Sequence, residues 1–308
     1  MTAPKPTLTV IVGPTGSGKS DLAVELAQSL GAPIISTDSR QVYKGMEIGT
    51  AQPTAEQLRT VPHHFIADRE PTERFSCADF EREAMELLGE LFRTHPHVVA
   101  VGGSGLYIDA LCGGLDPLPD VDPALREELS RRLADEGLES LIAQLAQLDP
   151  AYYATVDTKN PARVQRALEV CLQTCRPFSE QRTGTQAIRP FDIRKTGIDL
   201  PRPELYARID ARVDAMMAAG LEAEARALHH LRQLPALRTV GYSELFDHFD
   251  GLVTDAAGRP LAGDESLARA VELIKRNSRR YAKRQMTWFR RDPSIVWTNP
   301  KNRPWGST

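Results

Sequence analysis

The residues Gly13-Pro14-Thr15-Gly16-Ser17-Gly18-Lys19-Ser20 fit the pattern G-x-x-x-x-G-K-[ST] at every position. These residue types at this spacing hold phosphate. The glycines let backbone N–H groups curl round phosphate oxygens, the lysine neutralises their charge, and the hydroxyl of Ser20 offers a ligand to Mg²⁺. The motif also has the context it needs. Leu8–Val12 is a short apolar run rich in β-branched residues, which reads as a buried parallel strand. Asp21–Leu30 has helical spacing and stops at Gly31.

Three further groupings could do chemistry. Asp38, in Ser36-Thr37-Asp38-Ser39-Arg40-Gln41-Val42-Tyr43, stands at the tip of the next strand, Pro33–Ser36. A carboxylate there can face an acceptor substrate, and it can also simply cap a turn. The run Val101-Gly102-Gly103-Ser104-Gly105-Leu106-Tyr107 closes a third strand over Val98–Val101. P-loop ATPases usually place a metal-binding acid at this point, so glycines and a hydroxyl argue against ordinary ATP hydrolysis. The glycines are expected to admit a substrate. Between Lys275 and Arg291 lie eight cations and no acid, on a helix expected over Leu267–Phe289. At 100° per residue, those at 275, 276, 279, 280, 283 and 284 share one half of its surface, with Ile274, Tyr281, Trp288 and Phe289 on the other. Like charges at i,i+4 cost stability, so an unrelieved cationic face points to nucleic acid more than to a solvated surface.

The elements that must position these groups alternate strand and helix, with Cys77–Phe92 an amphipathic helix before the third strand. This is a doubly wound parallel α/β sheet with its ligands at the carboxyl ends of the strands. The Pro/Asp-rich stretch Asp116–Pro123 breaks the alternation, and Ala124–Leu148 and Pro161–Thr174 read as helices with no strand between them. Strand character returns at Arg194–Leu200, followed by a long helix over Leu205–Leu234 and a surface loop over Asp250–Glu265. The expected organisation is a core in two parts, 1–118 and 191–308, round a small all-helical insertion at 119–190.

Composition is that of an ordinary soluble globular chain, 41% hydrophobic and 26% charged over 308 residues. The basic segment holds 8 of the 38 Lys and Arg residues, which leaves 30 bases against 41 acids elsewhere. An acidic body with one dense basic segment implies a polyanion that docks locally. Cys77, Cys112, Cys171 and Cys175 are too scattered for a disulfide framework, and Cys171 with Cys175 lacks a second ligand pair for zinc. His63 and His64 point to opposite faces of an extended segment. The opening Met1–Pro6 has no signal architecture and no run spans a membrane, so the cytoplasm is the expected location.

Taken together, these motifs resemble the tRNA dimethylallyltransferases over nearly the whole chain. The resemblance is carried by Gly13-Pro14-Thr15, Asp38–Tyr43, Val61-Pro62-His63-His64, Val101–Tyr107, Asn160-Pro161 with Arg163–Glu169, Val240-Gly241-Tyr242, and Tyr281–Arg290. Ser20, Gly16, Ser104 and Ser278 depart from the commoner Thr, Ala, Thr and Thr, which touches rate more than reaction. The resemblance implies transfer of a dimethylallyl group from dimethylallyl diphosphate to N6 of adenine 37, beside the tRNA anticodon. The loop Gly13–Ser20 would hold the diphosphate, with Ser20 carrying Mg²⁺ and Lys19 and Arg208 stabilising the leaving group. Asp38 would be the general base, and Ser104 would orient the amine. The tRNA anticodon arm would meet Asp38, Ser39, Arg40, Gln41, Ser104 and Arg126. It would also meet Gln165, Arg166, Ala167, Leu168 and Glu169, then Val240, Gly241 and Tyr242. Lys283, Arg284, Gln285, Met286, Thr287, Trp288, Phe289 and Arg290 complete the set. A monomer is expected. Two rivals share the phosphate loop, a small-molecule kinase and an isopentenyltransferase acting on free adenine nucleotides. A non-catalytic RNA-binding ATPase switch is a third.

Overall fold

The computed structural model describes residues 5–184 and 186–299, so Met1–Pro4 of the N-terminal stretch lie outside the described residues. The chain divides into two compact units, Met1–Cys112 with Arg189–Thr308, and Gly113–Ile188. The limits expected for the insertion were 119 and 190.

In chain order the first unit begins with β1 (Thr7–Val12), α1 (Lys19–Leu30), β2 (Ile34–Ser36), α2 (Ala55–Thr60), β3 (His63–His64), α3 (Cys77–Leu91), β4 (His97–Gly102) and α4 (Gly105–Gly113). The second unit holds α5 (Pro123–Asp135), α6 (Leu138–Leu148), α7 (Pro150–Tyr153), α8 (Pro161–Thr174) and α9 (Phe178–Gln181). The first unit resumes with β5 (Asp192–Ile198), α10 (Arg202–Ala218), α11 (Leu221–Leu228), α12 (Tyr242–Phe249), α13 (Gly263–Phe289) and β6 (Ile295–Thr298).

All six strands pair in parallel, in the order β3-β2-β4-β1-β5-β6. The fold is therefore the α/β parallel sheet with helices that the alternation requires. β1 is central, so Leu8, Val10, Ile11 and Val12 are fully buried, and its carboxyl end delivers the phosphate loop to the middle of the sheet edge. One face packs Leu8, Val10 and Val12 against Phe80, Leu88, Ile108 and Leu111 of α3 and α4. The other packs Ile11 against Leu22, Ala23 and Leu26 of α1. No helix among the described residues is long and apolar enough to cross a membrane.

Two of the long helices read from periodicity are interrupted. Ala124–Leu148 is split between α5 and α6 at Gly137, whose φ is +82°. Leu205–Leu234 is split at Gly220, with φ +101°, and ends in a short 3₁₀ turn over His229–Leu231. At a positive φ the helical hydrogen-bond ladder cannot continue, whatever the apolar spacing on either side. Six short elements, α2, β3, α7, α9, α12 and β6, were not apparent from the sequence. The loop expected to end at Glu265 ends at Ala262, and α13 begins at Gly263.

Candidate active site

The phosphate loop turns from β1 into α1 through Gly16 (φ +79°) and Gly18 (φ +84°), conformations that side chains rarely adopt. Helix α1 starts at Lys19, so its free N–H groups open onto the loop. Lys19 Nζ donates to Pro14 O at 3.4 Å. Burial, then the Arg212 guanidinium, lower the Lys19 pKa to about 8, while Asp38 works in the opposite direction.

Helix α10 lies over this loop. Ile209 fills the space above Gly16, where an added Cβ would stand 2.9 Å from Ile209 Cγ1. Arg212 Nη1 donates to Thr15 Oγ1 at 3.3 Å, and the whole side chain lines the cavity beside Lys19. Arg208, the arginine anticipated here, is one turn earlier; it lies near Gly18 but bonds Glu204 at 2.9 Å and does not line that cavity. The i,i+4 spacing of the two arginines puts both on the loop side, and only the second reaches inward. Sequence reasoning missed Arg212, although its signal was a second Arg one helical turn on.

On the acceptor side, Asp38 follows β2. Its Oδ1 accepts from Arg40 N at 2.9 Å, and Asp38 N donates to Ser36 Oγ at 3.3 Å. The turn-capping role is therefore real; it engages Oδ1, and Asp38 lines the cavity as well. Ser104 Oγ accepts from Ser39 N at 3.0 Å and donates to Ser39 Oγ at 3.2 Å, tying the end of β4 to the Asp38 turn. Gln41 is held by Ser36 Oγ and by the carbonyls of Thr50 and Ala51, so it braces its own loop.

The glycines after β4 were expected to admit a substrate; the chain itself fills them. A Cβ on Gly102 would strike Thr37, one on Gly103 would strike Gln285, and one on Gly105 would strike the Trp288 ring. Gln285 accounts for the second contact. It is buried, accepts from Thr15 N at 2.8 Å and donates to Gly103 O at 2.9 Å, so it joins the phosphate loop to the end of β4.

These elements enclose a cavity of about 640 Å³. Lys19, Ser20, Asp38, Arg212, Tyr281 and Arg284 bring its polar groups, and Ile209, Val213, Met216, Leu221, Val240 and Ile274 its apolar wall. Tyr281 was assigned to the apolar side of the basic helix. It lines the cavity instead, with burial and then Asp38 raising its phenol to about 12.

The cationic face of α13 is partly relieved, contrary to the expectation. Lys275 pairs with Asp214 at 2.8 Å, Arg279 with Asp210, and Arg290 with Asp199 at 2.8 Å. The relieving acids come mainly from α10, spaced i,i+4, and no reading of α13 alone could find them. Arg280, Lys283 and Arg284 make no ion pair with the described residues. Arg280 and Arg284 face the main cavity. Lys283, Met286 and Arg290 line a separate cleft of about 680 Å³ on the far side of Pro14.

Several residues assigned to RNA are interior. Tyr242 is fully buried, its hydroxyl donating to Glu224 Oε1 at 2.6 Å, while Val240 and Gly241 line the cavity. Phe289 and Gln285 are buried, and Trp288 donates to Asp109 Oδ2 at 3.0 Å while packing on Gly105. In the helical unit Ala167 and Leu168 are fully buried core residues. Glu169 is buried as the partner of Arg126, at 2.7 and 2.9 Å, and of Arg166 at 3.6 Å. Ala167, Leu168 and Glu169 offer no surface to a partner. A helix that presents one face outward must bury the other, and a contiguous five-residue motif necessarily spans both. Gln165 is half-buried, bonded to Arg126 O and Ser130.

Comparison with known proteins gives a consistent picture. The IPP transferase family model matches residues 41–292. A tRNA dimethylallyltransferase of Porphyromonas gingivalis is 50% identical over 295 residues, covering 96% of this chain and 94% of that one. The Cytophaga hutchinsonii enzyme of the same name is 47% identical over 291 residues, covering 94% and 92%. Among solved structures, a tRNA isopentenylpyrophosphate transferase from Bacillus halodurans superposes with a TM-score of 0.67 at 38% identity, covering 96% of this chain and 90% of that one.

Proposed function

Because the chain belongs to the IPP transferase family of tRNA dimethylallyltransferases, we propose that its cavity transfers a dimethylallyl group from dimethylallyl diphosphate to N6 of adenine 37 in tRNA. One observation carries the assignment of roles. A phosphate loop with an inward lysine and a carboxylate from the next strand line the same cavity, and β4 ends without a metal-binding acid.

In this reading Lys19, the loop N–H groups and Arg212 hold the diphosphate, and their charge favours the oxygen from which C1 departs. Arg208, near Gly18, supports the loop from outside. Ser20 lines the cavity beside Lys19, and its hydroxyl is a hard-oxygen donor that suits Mg²⁺. No cluster of three metal-ligating side chains exists among the described residues, so diphosphate oxygens and water would complete its shell. Mg²⁺, when bound, supplies charge neutralisation on the diphosphate. The apolar wall of Ile209, Val213, Met216 and Val240 suits the five-carbon group.

The exocyclic amine of adenine is a weak nucleophile, because its lone pair is delocalised into the ring. The N6–C1 bond forms as the C1–O bond to diphosphate breaks, and the free oxygen of Asp38 takes the proton that N6 loses. The adenine must leave its stack to reach the cavity. Arg280 and Arg284, free of acid partners at its mouth, suit the flanking phosphates. The enzyme is taken to act in the cytoplasm as a monomer, since one chain carries both the donor loop and Asp38.

The test is incubation with labelled dimethylallyl diphosphate and either tRNA or AMP. Label should enter tRNA alone. Label in AMP alone would transfer the reading to free nucleotides, and ATP-dependent phosphorylation without prenylation would sink it.

A further inference from the structure

The chain between the Asp38 turn and α2 gives the cavity a wall of Gly49, Thr50 and Ala51. Ala51 sits at φ +49°, in the left-handed region that a residue with a side chain rarely adopts. Such a conformation persists only where its surroundings impose it. Glu224 of α11 supplies that constraint. One carboxylate oxygen accepts from Ile48 N at 2.8 Å; the other accepts from Gly49 N at 2.9 Å and from the Tyr242 hydroxyl at 2.6 Å. The Tyr242 ring closes over Gly49, where an added Cβ would stand 2.5 Å from Cζ.

The brace continues inward to Asp38. Gln41 Nε2 donates to Thr50 O at 3.3 Å and to Ala51 O at 2.8 Å, while Gln41 Oε1 accepts from Ser36 Oγ at 3.0 Å. Ser36 Oγ in turn accepts from Asp38 N at 3.3 Å. Hydrogen bonds therefore run from Glu224 through the loop wall to the Asp38 turn. None of these groups belongs to the phosphate loop, which Gln285 and Arg212 hold at Thr15 instead. The acceptor side of the cavity and the donor side are fixed by different residues.

We infer, resting on the reaction proposed above, that Glu224 and Tyr242 are positioning residues for the acceptor. They set the Gly49–Ala51 wall and the Asp38 turn as one unit, against which the target adenine is aligned. Neither side chain lines the cavity, so each acts through the loop. RNA affinity comes chiefly from phosphate contacts. A wall that shifts changes the distance and angle between N6 and Asp38, and so costs rate more than binding. Tyr242, whose burial keeps it from the RNA itself, thereby gains a part in the reaction.

The experiment compares wild type, Glu224→Gln and Tyr242→Phe on a labelled anticodon stem-loop, with enzyme and dimethylallyl diphosphate saturating. The single-turnover rate then reports alignment. Titration with stem-loop gives the fraction of binding-competent enzyme, and calorimetry gives donor affinity. Glu224→Gln keeps the size of the side chain but turns an amide N–H toward groups that donate to the carboxylate. It should slow transfer about 10-fold, with the competent fraction unchanged and both affinities within about twofold. Tyr242→Phe keeps the ring over Gly49, drops one hydrogen bond, and should slow transfer about threefold in the same manner. A loss of competent enzyme, or of either affinity, that matches the loss of rate would make Glu224 a residue of the scaffold and overturn the inference. Glu224→Gln at the wild-type rate would overturn it as well. Where Glu224→Gln does not fold, Tyr242→Phe decides by the same criteria. If wild type prenylates no stem-loop at all, it is the proposed reaction that fails.

Discussion

At pH 8.5 the binding of dimethylallyl diphosphate should draw protons from solution, and Lys19 is the reason. Burial lowers its pKa to about 8, with Arg212 adding to the effect and Asp38 opposing it. A diphosphate in the loop supplies opposite charge within contact distance, which favours the protonated amine and returns the pKa toward its ordinary range. Below pH 8 the free lysine is already charged, so binding takes up little. Above it the free amine is mostly neutral and must be charged on binding. For a shift from about 8 back to about 10.5, uptake is about 0.8 proton per site at pH 8.5 and about 0.1 at pH 7. Donor affinity should correspondingly weaken above pH 8, by up to about tenfold per pH unit. Isothermal titration in buffers of contrasting ionisation enthalpy reads the uptake directly. Lys19→Met should abolish it and raise the donor KM while leaving tRNA affinity nearly unchanged. Wild type with no uptake at pH 8.5, or Lys19→Met with undiminished uptake, refutes the reasoning.

The other expectations concern separate parts of the cavity. Asp38→Asn keeps the Arg40 contact and should still bind tRNA and donor, yet lose about 10²–10⁴ in single-turnover rate; a variant within threefold of wild type returns Asp38 to turn capping. Neutralising Lys283 and Arg284 together should flatten the slope of log K for tRNA against log salt by about one to two units. Neutralising Lys275 and Arg279, which already hold acids, should leave it nearly unchanged. Glu224→Ala should destabilise the protein by about 2–3 kcal/mol in denaturant melts, because Ile48 N, Gly49 N and the buried Tyr242 hydroxyl all lose their acceptor. Gln285→Ala should raise the donor KM, since Thr15 N loses its partner; unchanged donor kinetics would separate the phosphate loop from α13.

The placement of the phosphate loop and Asp38 was legible in the sequence because it is local: a short string of residue types, bracketed by strand and helix, fixes the conformation and brings Lys19, Ser20 and Asp38 to one cavity. What escaped was set by neighbours in space. Periodicity gave α13 an apolar side and a basic side, but could not say that Tyr281, flanked in that pattern by Ile274 and Trp288, borders a cavity. Arg208 and Arg212 look alike in a chain; only the seating of α10 with Ile209 against Gly16 puts the second in the cavity wall. Glu169 reads as solvent-facing until Arg126, forty-three residues earlier, is found against it. The breaks at Gly137 and Gly220 lay within strong apolar spacing, where single glycines are often tolerated.

The packing of Gln285 against Gly103 constrains how such a chain can vary. A methyl at position 103 would meet Gln285 Nε2 at 2.2 Å, so it requires a smaller residue at 285, and that residue would abandon Thr15 N. Gly105 stands in the same relation to Trp288, and Gly49 to Tyr242. Each glycine is thereby yoked to one large partner more than fifty residues away, and enlargement of the glycine alone is blocked. Substitutions at these sites should arise in pairs across relatives. A lone replacement at 103 would register as a defect of the phosphate loop, although residue 103 follows a different strand.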